Sequence, residues 1–236
     1  MSFIINTKER STQIELMDDF SVEGNLLRDS LDSLANINKW LGGNIVTLNG
    51  IKKVLKEYNK QKPLTILDMG CGNGDMLREL AKYGKKAGYN FTLIGIDANQ
   101  HTINYAEELS INYPEISYLQ QDVFSEEFQQ LQYDLVLATL FLHHFSEDEI
   151  VKLLSPILKK ATLGIVFNDL NRNKLAYYLF RVLCLFIKNP MTKEDGLISV
   201  LRAFKKEDLE KISKKLHAKS TIQWKWAFRY QWIIKK

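Results

Sequence analysis

The chemistry-bearing residues of this chain are concentrated between Leu64 and Asp97. The stretch from Leu64 to Gly74 reads LTILDMGCGNG: an apolar run tipped by Asp68, then Gly70, Gly72 and Gly74 spaced two apart, with Cys71 between the first two. A second apolar run, Phe91 to Ile96, ends in another acid, Asp97. Strand, glycine turn, helix and acid-tipped strand are the parts of a nucleotide-binding βαβ unit. Glycines let a backbone approach a ligand closely, and a carboxylate at the second strand tip can accept two hydrogen bonds from a ribose diol. The pattern predicts an adenosine-containing cofactor; the bland alternative is a tight turn and nothing more. It departs from the dinucleotide fingerprint, because the position of the third glycine is held by Asp75 and the glycine comes one residue early, at Gly74. An aspartate at the mouth of a phosphate site repels phosphate. That argues against a nicotinamide dehydrogenase and for a ligand that carries an ammonium and no phosphate.

S-adenosylmethionine is such a ligand, and DMGCGNG resembles the D-x-G-x-G-x-G motif of the class I S-adenosylmethionine-dependent methyltransferases. GIDAN (Gly95 to Asn99) is similar to their ribose-binding motif. QDVF (Gln121 to Phe124) is similar to the motif whose acid meets the adenine amino group. YDLVLATLFLHHF (Tyr133 to Phe145) is similar to the fourth strand and its cofactor-facing loop. The resemblance covers residues 64–169. It implies that Asp68, Gly70, Cys71, Gly72 and Gly74 embrace the methionine part, that Asp97 and Ala98 meet the ribose, and that Asp122 and Val123 meet the adenine. Thr139 and Leu140 would line the cofactor on the substrate side. It also implies a Rossmann-like α/β fold: a seven-stranded, mostly parallel sheet with an antiparallel last strand and helices on both faces. A looser resemblance over residues 169–204 points to small-molecule methyltransferases of polyketide or quinone-like pathways, and so to a hydrophobic or aromatic acceptor.

The candidates for catalysis follow the fourth and fifth strands. His143 and His144 come after β-forming Leu135 to Ala138, and an imidazole can take a proton near neutral pH. His144 is the first choice for a base; a purely structural role for both is the competing reading. Asp169 and Arg172 follow the fifth run, Leu163 to Asn168, and Arg172 could pair with Asp169 or hold an acidic or phenolate substrate. Glu194, Asp195 and Arg202 are weaker candidates, for a substrate lid. No metal site is expected. Cys71 and Cys184 suit neither a disulfide framework nor a metal.

These residues need elements to position them. Residues 1–62 read as a helical N-terminal extension: Leu27, Leu31, Leu34, Ile37 and Leu41 fall at helical spacing up to Gly42-Gly43, and a second helix carries Ile45 to Tyr58. Glu15 to Phe20 either helps to roof the cofactor or leads into the helix. Residues 63–236 read as the methyltransferase domain. Ser146 and Glu149 form a capping box that opens a helix to about Lys159. Residues 170–204 read as a helical insertion on the substrate side. Within it Leu175 to Ile187 is apolar but interrupted by Arg181 and too short to cross a bilayer. It is either a packing face or a greasy wall for a ligand.

Lys206 to Leu216 is an amphipathic helix, and His217 to Trp224 and Phe228 to Ile234 read as two terminal strands. The alternating aromatics Trp224, Trp226, Phe228, Tyr230 and Trp232 suggest one core-facing sheet side, with base stacking beside Lys225 and Arg229 as the alternative.

Of 236 residues, 45% are hydrophobic and 25% charged, which is a globular composition. The net charge of +4 is weak, but Phe204 to Lys236 holds ten Lys or Arg against three acids. A solvated outer face explains this excess most simply; RNA, an anionic membrane or an acidic substrate are the alternatives. The leading expectation is therefore a small-molecule methyltransferase. Its rivals are an RNA methyltransferase of the same fold and a non-catalytic cofactor-binding protein. MSFIINTKERS lacks the apolar core of a signal peptide, so a cytoplasmic protein is expected. No membrane span is expected, and a homodimer is one possible assembly.

Overall fold

The structure is a computed structural model and describes residues 5–236. Residues 1–4 of the expected N-terminal extension lie outside the described residues.

Seven strands form one sheet in the order β3-β2-β1-β4-β5-β7-β6. They are β1 Leu64–Met69, β2 Phe91–Asp97, β3 Ile116–Gln120, β4 Leu135–Thr139, β5 Gly164–Leu170, β6 Ser220–Lys225 and β7 Arg229–Lys235. Strands β1 to β5 are mutually parallel, and β7 runs antiparallel to both β5 and β6. Central strands β1, β4 and β5 are buried nearly throughout. Their sequences are continuous apolar runs because helices cover both faces. Strand β3, at the edge, buries only Tyr118.

The helices are α1 Gly24–Trp40, α2 Gly43–Val54, α3 Asp75–Ala87, α4 Gln100–Leu109, α5 Glu147–Lys160, α6 Lys174–Leu183, α7 Pro190–Arg202 and α8 Lys206–Lys215. Helices α5 and α8 pack Ile150, Leu153, Leu154, Leu209 and Ile212 against Phe167 and Trp232 on one sheet face. On the other, α2, α3 and α4 bring Ile51, Leu77, Leu80 and Ile103 onto Leu64, Leu93 and Val166. Thus α2 is a layer of the sheet itself. It seats through Gly50, where a Cβ would lie 2.5 Å from Val166 Cγ1. Helix α1 lies farther out, over the carboxyl edge of the sheet. The expected capping box of α5 is present, with Ser146 and Glu149 each accepting from the other's backbone N–H.

Three features differ from the sequence reading. First, within the expected helical insertion Pro190–Arg202 is a separate full helix that the sequence reading did not delimit, capped by Asn189, whose side chain accepts from the Thr192 N–H. Its buried face is largely polar (Thr192, Asp195, Ser199 and Arg202), so no apolar stripe announces it. Second, β6 begins at Ser220, because His217 is left-handed (φ 50°) and ends α8 instead of opening the strand. Third, the alternating aromatics do not share one buried face. Trp232 is in the core beside Phe167, but its neighbours toward the sheet edge emerge into solvent. Trp224 is 53% exposed, and Trp226, in the turn after β6, is 71% exposed.

Three lysines of the basic C-terminal region meet acids. Lys211 and Lys215 pair with Glu147, and Lys206 with Glu210. No described helix is long and apolar enough to cross a membrane.

Candidate active site

The carboxyl ends of β1, β2, β4 and β5, with β7 arriving from the opposite direction, open on a cavity of about 730 Å³. Its floor is the glycine turn after β1. All three glycines there are left-handed, with φ of 64°, 53° and 76°. Gly70 is required by the protein itself, since a Cβ would run into the Phe141 ring. Gly72 is different: a Cβ would meet nothing nearer than Leu31 Cδ2 at 3.6 Å, so this backbone faces open space. Gly74 backs onto Tyr118 and does not line the cavity.

Two acids brace and charge this floor. Asp97 accepts from the Gly72 N–H at 3.3 Å and the Asn99 N–H at 3.1 Å, which ties the second strand tip to the glycine turn. Asp68 is 2% exposed, and its Oδ1 has no partner among the described residues. Burial, then the neighbouring charges of Asp75 and Asp97, push its carboxyl up to about 8. An orphaned carboxylate oxygen beside two more acids suits a cationic ligand group and repels phosphate. Ala98, Asp122 and Val123 continue the wall; Asp122 turns its loop by accepting from the Phe124 N–H at 2.9 Å. Cys71 also lines the cavity, and burial raises its thiol well above the usual range. On the β4 side Thr139 shares a hydrogen bond with Thr47 of α2, and Leu140 is left-handed at φ 55°.

The two histidines follow in the 3-10 turn Leu142–His144. Asp169 holds His143 twice, taking its backbone N–H at 3.2 Å and contacting Nδ1 at 2.7 Å. The other ring nitrogen, Nε2, faces Glu15 Oε1 at 3.6 Å, and neither atom has a hydrogen bond. His144 Nδ1 contacts Asp18 at 2.6 Å. Glu15 and Asp18 come from the roof segment ahead of α1, which Asp195 pins by accepting the N–H groups of Leu16 and Met17. Arg202 closes the cluster: it donates to the carbonyls of His143 and His144 and to Asp18. Burial pushes Glu15 up to about 7 against the pull of His144 and the Ser199 hydroxyl. For Asp18 burial is outweighed by His144 and Arg202, which hold it well below the usual carboxylate range. Glu15, His143 and His144 each bring a donor atom within 4.8 Å of the others, a spacing that a divalent ion could bridge. Arg202 Nη1, 3.6 Å from Glu15 Oε1, already places a positive charge there.

Arg172 is corrected. It neither pairs with Asp169 nor reaches the cavity. It is buried between chain segments, donating to the carbonyls of Thr7, Lys8 and Ala203 and to Asp208. Of the three lid candidates, Asp195 and Arg202 anchor the roof, and Glu194 is exposed on the outer side of α7. Segment Glu15 to Phe20 is part of the roof, and α6 supplies an apolar wall through Ala176, Leu179, Phe180 and Leu183. The reading of the sequence missed Arg229 and the turn Trp226–Phe228 as cavity residues. In that turn Ala227 and Phe228 are left-handed (φ 61° and 54°), a local strain that non-glycine residues seldom hold.

Residues 66–161 match the model of a methyltransferase domain. The strand order and the D-x-G-x-G-x-G turn agree with it. Residues 66–161 are thus those of a methyltransferase domain, and the chain is similar to the class I S-adenosylmethionine-dependent methyltransferases. Among relatives of this chain, the ubiquinone biosynthesis O-methyltransferase of Rickettsia bellii (strain OSU 85-389) is 32% identical over 134 residues, 55% of this chain and 51% of that protein. The enzyme of the same name from Proteus mirabilis (strain HI4320) is 24% identical over 185 residues, 73% of this chain and 72% of its own. The chain thus spans about half the length of the first relatives it matches. The plantazolicin methyltransferase BpumL, solved with S-adenosylhomocysteine, shares the fold at TM-score 0.65 and 17% identity, over 89% of this chain and 94% of its own.

Proposed function

We propose that this protein transfers a methyl group from S-adenosylmethionine to a small hydrophobic or aromatic acceptor. One observation carries the reading: a single cavity joins the acidic glycine turn to an apolar wall. On one side lie Asp68, Gly72 and Asp97; on the other are Leu179, Phe180 and Leu183 of α6. The volume falls in the upper part of the range of small-ligand sites, roughly 300–1,000 Å³, and suits a cofactor beside a compact second molecule. The O-methyltransferase relatives support an oxygen acceptor.

S-adenosylmethionine brings an activated methyl on a sulfonium when bound. The chain holds and aligns the two partners and keeps water out. Gly72 would leave room for the methionine part, the free oxygen of Asp68 would accept from its ammonium, and Asp97 would accept from the ribose. The roof of Glu15 to Phe20 and α1 excludes solvent. His144 takes the acceptor's proton. Its Nδ1 is occupied by Asp18, so Nε2 is the nitrogen left for that step. Asp169 is a positioning residue, because it acts through His143.

The test is a radiolabelled methyl-transfer assay with a panel of catechols, phenols and polyketide-like acids. His144→Ala should lower kcat by about 10²–10⁴-fold with S-adenosylhomocysteine affinity unchanged. An unaltered kcat removes the base; an absence of turnover across the panel and a cell extract removes the acceptor class.

A further inference from the structure

Arg229 is the residue that the proposed reaction leaves unexplained. It is 2% exposed at the start of β7, opposite Leu170 of β5, and it lines the cavity. Its Nε and Nη1 are buried with no hydrogen-bond partner among the described residues, and no carboxylate there forms an ion pair with it. Asp169 is the acid whose charge it feels, but that carboxylate is engaged by His143 and the Leu170 N–H. A buried guanidinium without a bound anion is expensive, and a bound anion would offset that cost.

The surroundings of Arg229 have the same sign. Its Cζ lies 3.0 Å from where a Cβ on Gly43 would sit, so the missing side chain makes room for the guanidinium. Gly43 is the first residue of α2, whose N-cap, Gly42, offers no side chain to the free N–H groups. A twelve-residue helix therefore turns its positive end toward a buried, unpaired cation. Asn38, on the same side of Gly43, presents an unpartnered oxygen of the opposite sign, a neutral acceptor that does not cancel the charge of the guanidinium. Leu140 and Asn171 bound this corner of the cavity, between the cofactor floor and the wall of α6.

We infer that Arg229, with the N-terminal end of α2, is a carboxylate-binding subsite of the cavity. The inference deepens the proposed methyl transfer and rests on it for the identity of the ligands. Two molecules bring a carboxylate to this place: the amino-acid end of the cofactor, and an acidic acceptor. Arg172, the cation that sequence spacing favours for an acidic substrate, is fully engaged by the chain; Arg229 is not.

Calorimetry on the full chain and on Arg229→Met tests this with two matched pairs. S-adenosylhomocysteine and methylthioadenosine share a nucleoside and a sulfur but differ in the amino-acid end. Benzoate and benzamide differ in charge. If the subsite holds the cofactor, Arg229→Met loses at least tenfold affinity for S-adenosylhomocysteine and none for methylthioadenosine. If it holds the acceptor, S-adenosylhomocysteine binds as before and the preference for benzoate over benzamide disappears. Unchanged affinities for all four, in a variant that melts like the parent, overturn the subsite. The unmodified protein serves if the variant does not fold: no preference for the carboxylate member of either pair overturns it too. Methylthioadenosine reports the nucleoside site without any carboxylate. Its failure to bind counts against the methyl-transfer reading, and the benzoate pair still judges Arg229.

Discussion

Asp68 is the residue on which cofactor choice turns. Its free oxygen is costly in the empty protein, because burial and two neighbouring acids oppose its charge. The same cost becomes selectivity when a cation arrives. An acid whose folded pKa is raised loses stability as pH climbs from its unfolded value to its folded one. Asp68, at about 8, and Glu15, at about 7, act in this way between roughly pH 4 and 8. Asp18 and Asp169 are held low and contribute stability that is lost as pH falls below about 4. The ligand-free protein should therefore be most stable near pH 5. Asp68→Asn should raise its stability at pH 8 by about 1–2 kcal/mol, a melting shift of roughly 2–8 °C, and weaken S-adenosylmethionine binding at least tenfold. Melting curves across pH with a binding isotherm check this, and a variant that is both less stable and equally tight would contradict it. At this scale the cradle was readable in sequence because its parts are local: an acid, three glycines and a second acid within one βαβ unit. Arg172 and Arg229 were not separable that way. Both are arginines near strand ends, and only tertiary contacts decide which one is satisfied.

Elements place these residues, and their legibility follows how each is buried. Central strands and the capped helix α5 announce themselves, since a strand covered on both faces is a continuous apolar run and a capping box is a local signal. Helix α7 does not, because its buried face is largely polar, carrying Thr192, Asp195, Ser199 and Arg202. The terminal hairpin misled for a different reason. Alternation assigns Trp224 and Trp232 to one side of the sheet, but not how far the helical cover extends along that side. The contact of α2 with the sheet is a tight one and gives a direct test. Gly50→Ala puts a methyl 2.5 Å from Val166 Cγ1, and overpacking of this kind costs about 1–3 kcal/mol. Chemical denaturation should show that loss. Because α2 also carries Thr47, the partner of Thr139, ligand affinity should fall with it. Equal stability in Gly50→Ala would mean that α2 is seated more loosely than described.

Across the whole molecule, the site is assembled from both ends of the chain and its middle. Glu15 and Asp18 precede the sheet, His143 and His144 follow β4, Arg202 ends α7, and Arg229 opens β7. Lys206, Lys211 and Lys215 pair with acids of α5 and α8, and such pairs at the surface are worth about 0–1 kcal/mol each. Lys211→Ala and Lys215→Ala should accordingly leave both stability and methyl transfer close to those of the parent protein, and a large loss of activity in either would revive a role for the basic face. The account as a whole depends on a phosphate-free nucleoside cradle. Thermal melting with S-adenosylhomocysteine at about 100 times its dissociation constant tests it most directly, since binding of that strength adds roughly 2.7 kcal/mol. The account predicts a rise of about 5–10 °C with that ligand and none with a nicotinamide dinucleotide. A melting point that S-adenosylhomocysteine leaves unmoved, or that only the dinucleotide raises, would contradict it.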